Sequence, residues 1–409
     1  MRTRKISRPH SDLIDIINKV AEISNLSNIK YVIEMGHDNV DGFVGGAHKV
    51  KIKGTRDKLK ITKSVIIKWH PNPVDRACFR EACLREISYY KYIVPNLLDI
   101  QRKYNIIEGL RMKFSNCIFT STEYNKESIT IQIDMRYFCY IDRFYKIDFS
   151  HATLVIKNLA KLHALSFVLA KLCPKNVEKI QNICNKDVQY GDVKSIPSSL
   201  KSYFMASVAV VSDLSAKEKL MEIEQNILIL LNKTTSPIPN YSTICHGDCW
   251  SNNLIFKYHK NKPVDSLLVD FQLVRYASPV TDLSYFFYMS ADRHFLHQYY
   301  DQLINIYYGT LSAVIRQCDL NIEEIYPKDI FYKHLREYSV YGLIEALISM
   351  KIITAQPEEA AKMVDMKYNH PNILCQYESK NRTLYIDRVN SVVDHFFQKK
   401  YSLNNVLNQ

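Results

Sequence analysis

Glycine and proline are scarce, at 10 and 13 of 409 residues. With no low-complexity tract present either, collagen-like, linker-dominated and disordered chains are excluded. No internal repeat occurs, which removes solenoid and propeller architectures. The ten cysteines include no CxxC pair, and a chain this long needs no disulfides to hold a core, so reduced thiols in a cytoplasmic protein are expected. Cys245 and Cys249 flank His246, but a metal site there would need a second ligand cluster, and none stands out. Long apolar runs are lacking as well. The longest helical apolar region, 338–353, is interrupted by Glu345 and Lys351 and falls short of the roughly 18–20 residues that cross a bilayer. No membrane span is expected, and the charges and amides within 13–19 break up what would be a signal peptide's apolar core.

What the chain does have is 47% hydrophobic residues and 23% charged ones, enough for two packed lobes. Lys and Arg number 54 against 42 Asp and Glu, and the net charge of +12 favours anionic partners without choosing among them. No aromatic-basic recognition motif or zinc module accompanies that charge, so no specific nucleic acid partner is expected.

The hydrophobic period changes once along the chain. Short β-like runs at 31–35, 48–53, 63–68, 117–121 and 129–135 are interrupted by one helix, 75–92, predicted to stop near Val94 because Pro95 disfavours helical dihedrals before it. From Ser150 onward the period is helical, with segments near 214–232, 292–316 and 328–353. Within that half the β signals are 242–245, 254–258 and 267–271, the last two joined by a hairpin connection over 259–266. The polar stretch 173–203 reads as an insertion over the surface.

The segment ICHGDCWSNNLIF, 244–256, places His246, Asp248 and Asn253 in a short loop between two β runs, and VDFQ follows at 269–272. Two carboxylates and an amide at strand ends are the parts phosphoryl transfer needs: one carboxylate to accept a hydroxyl proton, an amide and a second carboxylate to hold Mg²⁺. Each residue has a plainer reading, Asp248 as a turn carboxylate and Asn253 as an Asx-turn residue with Asn252 beside it. His246 is expected to be a buried packing residue, His163 a satisfied core histidine, and Asp282 a residue that fixes a loop by hydrogen bonds. The Tyr-rich stretches around 299–300, 307–308 and 338–341 could line an apolar acceptor pocket, with core packing the default.

HGDxxxxN followed by DFQ and by RYASPVTDLSYFF, 275–287, resembles the ecdysteroid kinase-like (CHK kinase-like) family, of the protein-kinase-like fold beside choline and aminoglycoside kinases. The resemblance extends to LAKLHALS, 159–166, and to EISYY, 86–90. It implies that Asp248 is the catalytic aspartate, that Asn253 and Asp270 are Mg²⁺ ligands, and that ATP is the phosphoryl donor. Lys68, at the end of SVIIKW, would reach the α- and β-phosphates, paired with a helix carboxylate: Glu86 by the family pattern, Glu81 as the fallback. Gly42, Gly45 and Gly46 stand where the family has a phosphate-covering loop, although a hairpin turn would use the same glycines. Asp134 and Met135 occupy the place of the hinge, whose backbone would bind the adenine edge.

The expected architecture is α+β and bilobal, of protein-kinase-like fold. Its β-rich N-lobe would span 1–135, its mainly helical C-lobe 136–400 and a tail 401–409. The expected activity is ATP-dependent phosphorylation of a hydroxyl on an apolar small molecule, such as an ecdysteroid or related sterol or xenobiotic alcohol. The rival reading is a catalytically silent nucleotide- or sterol-binding protein of the same fold. Protein substrates are disfavoured because the chain reaches Ser278-Pro279 and a helix within a few residues of Asp270, leaving no long activation segment.

Overall fold

The computed structural model describes residues 10–35, 47–70, 73–133, 137–184, 196–360, 362–363 and 377–408. Gly42, Gly45, Gly46, Asp134 and Met135 lie outside the described residues. The architecture is α+β: a β-rich first part and a mainly helical remainder. Helix α1 (Ser11–Ile23) precedes an antiparallel five-stranded sheet of order β1-β2-β3-β5-β4, formed by β1 (Ser27–Met35), β2 (Ala47–Arg56), β3 (Leu59–Lys68), β4 (Asn116–Ser121) and β5 (Ser128–Gln132). Period-2 alternation on β3 separates two cores. Val65, Ile67 and Trp69 pack with Leu13, Ile17 and Val20 of α1, whereas Ile66 joins Ile129 and Ile131 in the main core. Lys68, two residues beyond Ile66, therefore leaves the strand on the main-core side.

Helix α2 (Pro73–Ser88) does not stop before Pro95. A five-residue π turn, Tyr89–Ile93, carries the chain into α3 (Val94–Lys103) with proline in its first turn, where a missing N–H costs nothing. The wider turn relieves the clash that proline would make with a regular preceding turn, so the expected terminus near Val94 becomes a junction.

Helix α4 (Phe149–Leu172), capped by Asp148 accepting from the His151 N–H at 3.0 Å, opens the helical part. Among the described residues it is the one helix long and apolar enough to cross a membrane, correcting the assignment of that rank to 338–353. Most of it is buried, packed on α10 (Arg293–Gln317), β7 (Thr243–Cys245) and β9 (Lys262–Leu268), as a core helix of this length would be. Contrary to the surface insertion expected from the sequence, the described part of the 173–203 stretch does not lie wholly over the surface. It holds α5 (Pro174–Cys184) and the start of α6 (Ile196–Ala209), and buries Ile180, Cys184, Leu200 and Tyr203 in the main core.

Small sheets carry the loops of interest. Strand β8 (Leu254–His259) pairs with β6 (Phe138–Tyr140) and with β9, and β7 pairs with β10 (Arg275–Ala277). Strand β9 begins at Lys262, earlier than expected, because Lys260 and Asn261 both take positive φ and turn the hairpin in two residues. Pro263 is tolerated because β9 is an edge strand. Helices α9 (Val280–Ser290), α12 (Lys328–Tyr338), α13 (Val340–Ile353) and α14 (Arg382–Gln398) complete the helical packing.

Candidate active site

The loop between β7 and β8 is held from three sides. Gly247 has φ +86°, and a Cβ there would stand 1.9 Å from the Leu273 carbonyl oxygen, so only glycine fits. Beneath it, buried Asp282 accepts from the His246 N–H at 2.6 Å and the Gly247 N–H at 2.9 Å, and is held by the His163 ring at 3.1 Å, whose other nitrogen meets the Tyr307 hydroxyl at 2.8 Å. Arg275 donates to the Gly247 carbonyl at 2.8 Å and to the Tyr341 hydroxyl at 2.7 Å. His246 is fully buried. Its Nε2 lies 3.0 Å from the Val269 carbonyl and its Nδ1 accepts from the Asp248 N–H at 3.2 Å, which fixes the neutral tautomer. Burial lowers its pKa in the same sense.

So held, the loop presents Asp248. Its Oδ1 accepts from the Tyr285 hydroxyl at 2.7 Å and its Oδ2 from the Asn253 amide at 2.8 Å. Burial pushes its carboxyl up to about 6, against the opposing pull of those two donors. Asn253 also donates to the Asp248 carbonyl at 2.9 Å, which commits both amide protons and leaves its Oδ1 as the atom able to meet a cation. Asn253, rather than its neighbour Asn252, thus makes the bonds to Asp248.

Asp270 approaches from the end of β9 in the left-handed region, φ 71° and ψ 67°. Aspartate tolerates that conformation better than most residues, and packing selects it. Here the next residue, Phe271, stacks on Tyr89 at 3.8 Å between ring centroids, lies 4.4 Å from the His246 ring, and donates its N–H to Glu86 at 3.3 Å. The anchored phenylalanine turns Asp270 toward Lys68, whose ammonium lies 2.7 Å from Asp270 Oδ1 and 2.7 Å from Glu86 Oε2. Burial disfavours the lysine's charge, but Asp270 and Glu86 outweigh it and hold its pKa above the ordinary value. Glu81 instead faces Arg80 at 3.3 Å and is half-exposed, so the fallback partner is set aside.

The residues brought together are therefore Lys68, Glu86, Asp248, Asn253 and Asp270. With one amide oxygen and the second carboxylate oxygen of Asp270 as donors, Asn253 and Asp270 form an all-oxygen set that fits Mg²⁺. Cys245, by contrast, is buried with its sulfur against the Ala277 and Ser278 carbonyls at 3.6 and 3.5 Å, and His246 points away to Val269, so they build no zinc centre with Cys249. His163, Cys245 and Asp282 do cluster within 4.8 Å, but the histidine and the aspartate are already bonded as the loop's support. Tyr285 and Arg275 are site residues that sequence reasoning left without a role. Both stand inside the RYASPVTDLSYFF segment, the signal that could have singled them out.

No protein of curated function matches the chain significantly. Solved structures similar to it include an ethanolamine kinase from Plasmodium vivax, 14% identical, covering 97% of this chain and 94% of that one with a TM-score of 0.43. A choline kinase from Cryptosporidium parvum is 11% identical, with 95% of each chain covered and a TM-score of 0.37. A macrolide 2'-phosphotransferase from Brachybacterium faecium is 10% identical, with 88% and 99% covered and a TM-score of 0.35. Residues 39–320, more than half of the chain, match the model of the ecdysteroid kinase-like family, and the chain belongs to that family.

Proposed function

We propose that the protein is an ATP-dependent phosphotransferase that phosphorylates a hydroxyl group of a small molecule, with an apolar alcohol such as an ecdysteroid or related sterol as acceptor. The observation that carries this reading is the bridge from Lys68 to Glu86 and Asp270, set beside the buried Asp248. In this reading Lys68 steadies the phosphates of the donor, and Glu86, 1% exposed, keeps the ammonium aimed. Asn253 Oδ1 and Asp270 Oδ2 would hold Mg²⁺, which would supply neutralisation of the phosphate charge. Asp248, ionised above about pH 6, takes the hydroxyl proton, while Tyr285 and Asn253 keep its carboxylate in one orientation.

Release of ADP with a panel of sterol and xenobiotic alcohols tests the activity. Asp248→Asn should lower turnover by roughly two to four orders of magnitude while calorimetric affinity for Mg-ATP is retained. Lost affinity with it would move Asp248 to the metal site, and turnover equal to wild type would remove it from the chemistry.

A further inference from the structure

A hollow of about 80 Å³ lies between the β6–α4 connection, the ends of α9 and α13, the start of α10 and α14. Trp250 and Ser251, which stand between Asp248 and Asn253 in the catalytic loop, form part of its wall. Its volume is well below the roughly 300–1,000 Å³ of a site that encloses a whole small molecule. There is room for a group of a few heavy atoms and none for a sterol body.

Helix ends bring guanidinium groups to this place, because the last carbonyls of a helix lack partners within it. Arg388 donates to the Met289 carbonyl in the last turn of α9 at 3.0 Å, and Arg143 donates to the Ala355 carbonyl just past α13. A guanidinium carries several N–H donors, and those bonds leave some of them over. Arg388 Nε is buried with no hydrogen-bond partner among the described residues, and Arg388 makes no ion pair among them. The hydroxyl of Ser290, the last residue of α9 and 5% exposed, is likewise buried without a partner among them. Buried donors left unmet cost stability. The charges do not balance either. Arg143, Lys146 and Arg388 face Asp292 and Asp387 across the hollow's lining. Asp292 is already engaged, accepting from the Phe295 N–H at 2.9 Å as the cap of α10 and lying 3.6 Å from Lys146, and Asp387 is exposed to water. Burial lowers the Arg388 guanidinium to about 10, against the pull of Asp292 and Asp387, so it stays charged at neutral pH. A charge withdrawn from water without an ion pair is costly, and an anion in the hollow would supply the partner.

We propose that this hollow is a binding site for a phosphate group, held by Arg388, Arg143, Lys146 and the Ser290 hydroxyl. These donors stand on α14, on the β6–α4 connection and on α9, so they line the hollow from separate directions. A planar carboxylate presents its oxygens in one plane, whereas a phosphate presents them tetrahedrally and can meet donors on several sides. The group is either free phosphate or the end of a phosphate monoester, and the recognition chemistry is the same for both. The site is separate from the Lys68, Glu86 and Asp270 cluster and does not depend on the phosphotransferase reading. Because Trp250 and Ser251 form part of its wall, occupancy bears directly on the loop that carries Asp248 and Asn253.

Calorimetric titration of inorganic phosphate and, separately, of phenyl phosphate into the full chain without nucleotide tests the proposal. Tryptophan fluorescence is a second readout, since Trp250 lines the hollow and the chain's other tryptophan, Trp69, packs in the α1 core. Binding should be saturable and change the emission. Tighter binding of inorganic phosphate marks free phosphate as the source, and tighter binding of phenyl phosphate marks an ester. Arg388→Gln, which keeps a donor for the Met289 carbonyl but loses the charge, should weaken binding by roughly tenfold or more, and Ser290→Ala by roughly threefold to fivefold. Lys68→Met, which removes the lysine of the nucleotide cluster, should leave the phosphate affinity unchanged. Circular dichroism checks that Arg388→Gln is folded, and Ser290→Ala with Lys146→Gln carries the test if it is not. Saturation by neither probe, equal affinity in the hollow variants and wild type, or a loss of affinity in Lys68→Met alone would overturn the proposal. None of these readouts requires turnover, so a chain that released no ADP with any acceptor would refute the phosphotransferase reading and leave the phosphate site standing.

Discussion

Asp248 sits where opposing influences set its proton affinity: burial raises the carboxyl to about 6, and the Tyr285 hydroxyl, 2.7 Å away, favours the ionised form. Activity should therefore fall on the acid side with an apparent pKa near 6. Tyr285→Phe removes a bond that favours the carboxylate, so the limb should move to higher pH; a pH profile of kcat/KM that stays put or moves to lower pH would refute the role given to Tyr285. The same shift links to stability. The folded state binds this proton more tightly than the unfolded state, whose carboxyl titrates near 3.8, so stability falls as pH rises from about 4 to about 6. Asp248→Asn has no such proton to lose, and its thermal midpoint relative to wild type should climb across that window. Lys68 and Glu86 form a second unit, and the loss of either should lower turnover or raise the KM for ATP. Lys68→Met combined with Glu86→Gln should be less than additive, because each single change already breaks the shared contact; additive losses would mean that the two act separately. Asp248 and Asp270 were legible as candidates from motif spacing, and Lys68 with Glu86 from the family resemblance. The support given by Tyr285 and Arg275 was not, since a tyrosine hydroxyl or a buried guanidinium becomes a site group only through the atom it meets in three dimensions.

At the scale of elements, the helices and strands that carry the site depend on close approach as much as on pattern. Gly342 on α13 lies against α9, and a Cβ there would come within 2.4 Å of the Ser284 carbonyl carbon. Gly342→Ala should push the two helices apart and cost about 1–3 kcal/mol, read as a lower thermal midpoint; an unchanged midpoint would show that the contact relaxes freely. Because α9 also carries Tyr285, the acid limb of activity is expected to shift with it. Strand positions followed from alternation, and α4 from its helical period. The π turn at Tyr89–Ile93 did not, because Pro95 signals a break locally, whereas the stacking of Tyr89 on Phe271 stabilises a continuation that only packing supplies. Likewise 173–203 reads as polar in sequence, yet among its described residues Ile180, Cys184, Leu200 and Tyr203 join the main core.

Across the whole molecule, Asp270 meets a lysine from the end of β3, the central strand of the five-stranded sheet, 202 positions away in the chain. Asp270→Asn weakens that tie and removes a charge facing the proposed metal, so it should abolish most turnover and weaken the dependence of nucleotide binding on Mg²⁺, with the circular-dichroism spectrum retained. A variant that unfolds would make the residue a structural tie between the two parts instead. Family and α+β class were legible in the sequence alone, and Asp248, Asn253 and Asp270 stood out as candidates, because fixed spacings around a loop leave a linear trace that survives without coordinates; Lys68 and Glu86 followed from the family resemblance, with Glu81 left open. Which carboxylate pairs with Lys68, how Phe271 turns Asp270, and that Tyr285 reaches Asp248 were decided by tertiary structure. Each of these joins residues far apart in the chain through distances of a few ångströms, and no local pattern encodes such a distance.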